Sequence, residues 1–180
     1  MIVAPLDFKL YEDKDPFHPC GESYQKILDC LRPEVVREWG PGQNTRMALA
    51  AGAEVFSTES EPQRLFAHHP KLVQCYVAAG NDAYPDPWVA AHLFFVNGER
   101  RADCIEAVRT GAPELHVLVL CDAQRRRYWP ALSCYECVLA DGHGAAVATA
   151  DRHVFGWLQD VLLKDRLAKK YASWAEVPVN

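Results

Sequence analysis

Val35-Val36-Arg37-Glu38-Trp39-Gly40-Pro41-Gly42-Gln43-Asn44-Thr45, followed by Ala53-Glu54-Val55-Phe56-Ser57-Thr58-Glu59, is the stretch whose reading decides the fold. Its apolar and β-branched residues predict a strand through Trp39. Gly40 and Gly42 predict a turn in which a ligand can lie against bare backbone, since glycine has no Cβ to hold it away. A helix over Thr45 to Ala51 follows, Gly52 stops it, and a second strand ends at Glu59. Asn44 or Thr45 can cap that helix, which is compatible with a ligand at its exposed amides. An ionised carboxylate about twenty residues beyond such a turn accepts hydrogen bonds only and suits the two hydroxyls of a ribose. The pattern therefore predicts a nucleotide-type site with Glu59 as the ribose ligand. A tight turn that binds nothing would use the same two glycines.

Thr45 stands where a dinucleotide fingerprint has a third glycine for close helix packing, which disfavours a nicotinamide cofactor. The run Glu38 to Gly42, with an acid closing the next strand, instead resembles motif I and the following acidic position of class I S-adenosylmethionine-dependent methyltransferases. The later segments Phe95-Val96-Asn97-Gly98-Glu99-Arg100-Arg101-Ala102-Asp103-Cys104, Val117 to Asp122 and Arg125 to Tyr128 look like those of a methyltransferase-like subgroup. That subgroup has a Val-Asp-Gly-x-x-Arg segment and a later Asp-x-x-x-Arg-x-x-Tyr segment. The likeness covers roughly residues 34 to 150.

The resemblance implies S-adenosyl-L-methionine as cofactor, held by Glu38, Gly40, Gly42, Asn44, Thr45 and Glu59, with the loop at Asn81 and Asp82 meeting the adenine. It places Asp122 as base or substrate-orienting carboxylate, with Asn97 as a hydrogen-bonding partner. Where the pattern has Asp this chain has Asn97, and a neutral amide is a poor ligand for a hard cation, so no metal is assigned. Arg125, Arg126 and Arg127 form a cationic cluster able to hold a phosphate or carboxylate, although such a run is commonly a solvated helix start. Arg125 and Tyr128 are accordingly candidate substrate contacts. Asp122 could equally cap the element that follows it.

At 180 residues the chain is long enough for one well-buried domain, read as a single methyltransferase-like unit over 1–180. The arm 1–20 is rich in Pro, Asp and aromatic residues, and Pro16 and Pro19 around Phe17 and His18 forbid a continuous helix there. This arm is either a lid, with His18 touching substrate, or a strap packed on the domain. Residues 21–154 form the Rossmann-like core and 155–180 a final amphipathic helix and tail.

A net charge of -5 and a pI near 5.8 argue against a dedicated nucleic-acid surface. No apolar run approaches the roughly 18 residues that span a membrane, and the first residues lack the regions of a signal peptide. Cytoplasmic localisation and a small-molecule substrate are the expectation, with oligomeric state left open. The seven cysteines read as small buried hydrophobes rather than a disulfide framework. Cys134 and Cys137, with His143 and His153 downstream, match a zinc site only loosely because alternate residues of a strand face opposite ways.

Tyr24, Ile27, Leu28 and Leu31 recur at helical spacing before Pro33. Strands are predicted at 72–79, 92–96, 115–121, 135–140 and 145–150. Helices are predicted from Glu61-Pro62 through Ala67, with His68 and His69 near its end, and over 101–109 and 155–174. Alternating strands and helices predict an α/β three-layer sandwich. Its sheet is largely parallel and seven-stranded, with a C-terminal antiparallel hairpin as in class I methyltransferases. The non-catalytic alternative is a member of the same fold that binds the cofactor or a nucleotide and acts as an assembly partner.

Overall fold

Tyr24, Ile27 and Leu28 share one face of α1 (Gly21–Leu31) and are fully buried, so this helix is held by its apolar stripe and ends before Pro33. The computed structural model describes residues 2–3, 21–61, 68–77, 90–113, 115–140 and 144–167. Eight strands form one sheet among them: β1 (Ile2–Val3), β2 (Val35–Trp39), β3 (Glu54–Glu59), β4 (Leu72–Tyr76), β5 (Leu93–Val96), β6 (Val117–Cys121), β7 (Cys137–Ala140) and β8 (Ala145–Thr149). Their order is β1-β7-β8-β6-β5-β2-β3-β4. The seven strands β2 to β8 realise the expected arrangement, and β1 adds a short parallel edge beside β7. Only β8 runs against its neighbours β6 and β7.

Strand order reverses between β2 and β5, so the crossovers from β2 and from β5 leave in opposite directions and put helices on both faces. One layer contains α1, α2 (Gln43–Ala50) and α5 (Arg152–Leu167), the other α3 (Arg101–Gly111) and α4 (Trp129–Leu132). Alternation within β5 makes the division visible. Leu93 and Phe95 face a core with Tyr24, Ile27 and Leu158, and the Tyr24 and Phe95 rings lie 4.7 Å apart. Phe94 and Val96 face the opposite core, with Trp39, Ile105 and Leu132. All four β5 residues are buried, as expected of a strand covered on both sides.

Several boundaries differ from the sequence expectation. The fourth strand stops at Tyr76 and the sixth begins only at Val117. His116 is occupied by its side chain instead, with Nδ1 bonded to the Pro113 carbonyl at 2.6 Å and Nε2 to the Tyr135 hydroxyl at 3.2 Å. α5 begins at Arg152 rather than 155, because Asp151 caps it: its carboxylate accepts the amides of His153 and Val154 at 2.7 and 2.8 Å. α2 begins at Gln43, so Asn44 lies within its first turn and is not its cap. The helix expected over 62–67 lies outside the described residues, and His68 and His69 are in a loop.

The cysteine expectation also needs correction. Cys104 and Cys137 are buried thiols, but Cys30, Cys75 and Cys134 are exposed and Cys121 is disulfide-bonded. Cys121 ends β6 at the rim of the sheet, and spacing in the sequence carries no information on which segment a strand end meets.

Candidate functional site

The chain leaves β2 through Gly40, whose φ of +84° belongs to the left-handed region that glycine tolerates. A Cβ there would lie 2.5 Å from the amide nitrogen of Gly98, so the glycine is required by close approach to the loop after β5 as well as by its dihedral. Gly42 is different: a Cβ built on it meets nothing within 4 Å among the described residues. Toward the described residues the space beside Gly42 is open, as ligand approach to bare backbone requires.

Thr45 shows why this turn does without a third glycine. Its buried hydroxyl accepts the Gly42 amide at 2.9 Å and donates to Glu38 Oε1 at 2.6 Å. The side chain therefore ties the turn to the end of β2 from inside the helix. Glu38 is fully buried, and burial pushes its carboxyl up to about 7, opposed by the Thr45 hydroxyl and the charge of Arg37. Its Oε2 and the Tyr24 hydroxyl are buried without a hydrogen-bond partner among the described residues. Burial raises the Tyr24 phenol well above its ordinary value, helped by the nearby Glu38 charge.

Arg37, adjacent on the opposite face of β2, is a buried charge that sequence inspection did not single out. It donates to the carbonyls of Glu38 and Phe56 and to the Thr58 hydroxyl, at 2.7, 3.0 and 2.6 Å, and its guanidinium lies 4.5 Å from the centre of the Trp39 ring. Those contacts replace the water lost on burial.

Glu59 ends β3 at the same edge. Its Oε1 accepts the amides of Ser60 and Glu61 at 2.6 and 3.0 Å, which fixes the side chain, while Oε2 is buried with no partner among the described residues. Glu59, Asn97, Gly98, Arg101, Arg125 and Tyr128 all line one cavity of about 560 Å³ at the C-terminal ends of β3 and β5 and beyond β6. This is the carboxyl edge at the switch point, where open α/β sheets take ligands.

Asp122 follows β6 with a left-handed φ of 54°. Among the described residues it caps no element: the short 3-10 turn Arg126–Tyr128 that follows has no side-chain cap. Its Oδ2 instead receives Arg101 at 2.8 Å and Arg125 at 3.1 Å. The three arginines have separate tasks. Arg125 meets Asp122, Arg126 lies 5.9 Å from the Trp129 ring centre, and Arg127 donates to the Tyr128 hydroxyl at 2.6 Å from above the same ring. Arg125 and Arg127 line the cavity and Arg126 does not.

Thus the fold brings Glu59, Asn97, Arg125 and Tyr128 around one space, with Glu38 and Thr45 buried behind the glycine turn and Asp122 holding the arginines. His18, Asn81 and Asp82 lie outside the described residues. Among the described residues no cluster of three His, Cys, Asp or Glu side chains could hold a metal ion, and no helix is long and apolar enough to cross a membrane. Arg101, the most extensively bonded side chain of the site, does not stand out as a site residue in the sequence. Its clue was its place in the Val-x-Gly-x-x-Arg run.

No family model and no curated protein matches this chain. Solved structures do. A methyltransferase-like protein from Silicibacter pomeroyi is 17% identical, with 85% of this chain and 98% of that chain covered and a TM-score of 0.55. An Mg–SAM form of cmcI is 16% identical over 76% of this chain and 73% of that one, with a TM-score of 0.54. An O-methyltransferase from Bacillus cereus in complex with SAH is 12% identical over 76% and 83%, with a TM-score of 0.50. At these identities the likeness establishes a fold: this chain has that of the class I methyltransferases.

Proposed function

We propose that this chain, built on the class I methyltransferase fold, is an S-adenosylmethionine-dependent methyltransferase acting on a small anionic molecule. The observation that carries the proposal is Glu59 Oε2 at the tip of β3, which has no partner among the described residues, beside a glycine turn whose Gly42 meets none of them within 4 Å of an added Cβ. A fixed carboxylate with one oxygen to spare fits the hydroxyls of a ribose, and bare backbone fits the approach of the rest of the cofactor. The neighbours that carry SAM or SAH support the same choice of ligand.

When bound, S-adenosylmethionine would supply a methyl carbon activated by its sulfonium. The residues of the chain then have little covalent work and mainly hold the acceptor in line. Thr45 and Glu38 keep the turn in place, and Glu59 would accept hydrogen bonds from the ribose hydroxyls. Arg125 and Arg127 draw an anionic acceptor into the cavity, which Tyr128 also lines. Asp122 is better suited to orienting than to taking a proton, because its Oδ2 is committed to two guanidiniums and only Oδ1 lacks a partner among the described residues.

That commitment is also what favours the second reading, a cofactor-binding member of the fold without turnover. Calorimetry with S-adenosylmethionine, S-adenosylhomocysteine and NAD, followed by a methylation assay on a panel of carboxylates and phosphates, separates the cases. Binding of the first two with methylation supports the enzyme, and binding without methylation supports the assembly role. Binding of NAD alone would refute the methyltransferase and leave only a nucleotide-binding assembly role.

A further inference from the structure

An Mg–SAM form among the structural neighbours raises a divalent cation for this site, and the donor set here does not fit one. Mg²⁺ and its relatives are held by oxygen ligands, chiefly carboxylates, whose lone pairs converge on a point. At the ends of β5 and β6 the oxygens converge on a guanidinium instead. Arg101 is 8% exposed and makes five hydrogen bonds, as many as it has N–H groups. Nε donates to the Gly98 carbonyl at 2.9 Å. One terminal nitrogen donates to the Cys121 carbonyl and Asp122 Oδ2, both at 2.8 Å. The other donates to the Asn97 carbonyl at 3.1 Å and to Asn97 Oδ1 at 3.2 Å.

We infer that Arg101 is the resident cation of this site: its guanidinium holds the place between Asn97 and Asp122 and, by claiming Asn97 Oδ1, turns the Asn97 amide N–H groups toward the ligand space. Asn97 lines the cavity, and its Nδ2 has no partner among the described residues. Position 97 thereby becomes a donor to an acceptor-rich ligand rather than a ligand to a metal. Arg101 itself has no N–H to spare, so it is a positioning residue and leaves direct contact with an anion to Arg125 and Arg127. An aspartate at position 97 would still give one oxygen to Arg101 but would present the other, a negative acceptor, to the cavity. The sign of the site at that position is therefore set by this pair.

This inference shares its site with the proposed methyl transfer, but its test requires neither cofactor nor turnover. Mn²⁺ uptake is followed by electron paramagnetic resonance in the parent, in Asn97→Asp and in Asn97→Asp/Arg101→Met. With Arg101 in place, neither the parent nor Asn97→Asp should take up Mn²⁺ at about 1 mM, whereas the double variant should gain a carboxylate pair free of the guanidinium and bind it. Its affinity should exceed that of either other protein by at least about tenfold. Uptake by the parent or by Asn97→Asp, or a folded double variant that gains nothing, overturns the inference. If circular dichroism shows the double variant unfolded, Asn97→Asp alone decides: no uptake upholds the role of Arg101 and uptake rejects it. S-adenosylhomocysteine calorimetry on the parent is run in parallel, so a failed cofactor reading is distinguished from a failed cation reading.

Discussion

Gly40 and Gly98 meet backbone to backbone: a Cβ added to Gly40 would lie 2.5 Å from the Gly98 amide nitrogen. Because Gly98 opens the loop to α3, this contact couples the turn after β2 to the turn after β5, the two strands at the reversal of the sheet. Gly42, two positions on, has no such neighbour among the described residues.

The two glycines should therefore fail differently. Gly40→Ala clashes with main chain and forces alanine into a left-handed dihedral, so it should cost more than about 2 kcal/mol in stability. Gly42→Val should stay within about 0.5 kcal/mol of the parent but lose roughly tenfold or more in S-adenosylhomocysteine affinity. Denaturant unfolding and calorimetry on both variants check the contrast. Equal loss of stability in the two would assign both glycines to folding alone.

That contrast marks how far the sequence could be read. The glycine turn, the acid at the end of β3 and the alternating burial of β5 are local or periodic features, and each left a trace in neighbouring residues. The Arg101–Asp122 pair did not, because it joins positions 21 apart whose meeting depends on β5 and β6 lying side by side. Arg37 and Glu38 look like the exposed part of a half-buried strand until β2 is known to be central, with β3 and β5 on either side. Thr45 stands in the sequence as a departure from the third glycine, a candidate cap and a cofactor contact. Its function as a clasp appears only when Glu38 is seen to point back under the helix.

Glu59→Gln should weaken cofactor binding without loosening the loop. Glutamine keeps one oxygen for the amides of Ser60 and Glu61 but replaces the unpartnered Oε2 with a donor, which opposes the ribose hydroxyls less well than a carboxylate serves them. A loss of about 1–3 kcal/mol in S-adenosylhomocysteine binding is expected, with unchanged thermal unfolding. Glu59→Ala should lose both binding and stability, since it also strips the loop amides of their acceptor. If Glu59→Gln binds like the parent, the carboxylate serves the loop only.

Stability should depend on pH through Glu38. Its folded-state value near 7 lies above the ordinary 4.5, so between these values the folded chain retains a proton that the unfolded chain has released. The stabilising contribution is complete below 4.5 and is lost as pH rises through about 7. Glu38→Gln keeps an oxygen for Thr45 and removes the charge. It should flatten the profile over that window and raise the melting temperature at pH 8 relative to the parent, by an amount on the order of a few kcal/mol in stability. Melting curves at pH 5 and pH 8 decide; parallel profiles for the two proteins would mean that Glu38 does not titrate there.

Asp122 and the arginines beside it separate enzyme from binding module. If Asp122 orients a substrate, Asp122→Asn should lower kcat by at least about tenfold while leaving S-adenosylhomocysteine affinity nearly unchanged, because its contribution belongs to the acceptor rather than the cofactor. Arg125→Gln and Arg127→Gln should raise KM, and the parent's KM should rise with salt, as expected for an exposed cationic wall. Arg126 faces Trp129 and not the cavity, so Arg126→Gln should leave KM unchanged and serves as the control for net charge. Arg125 also bonds Asp122, and the double variant should therefore lose less than the sum of the two single losses. A purely structural pair predicts lowered melting temperatures with kcat and KM intact for Asp122→Asn, and that outcome would remove Asp122 from the reaction while leaving the cofactor site standing.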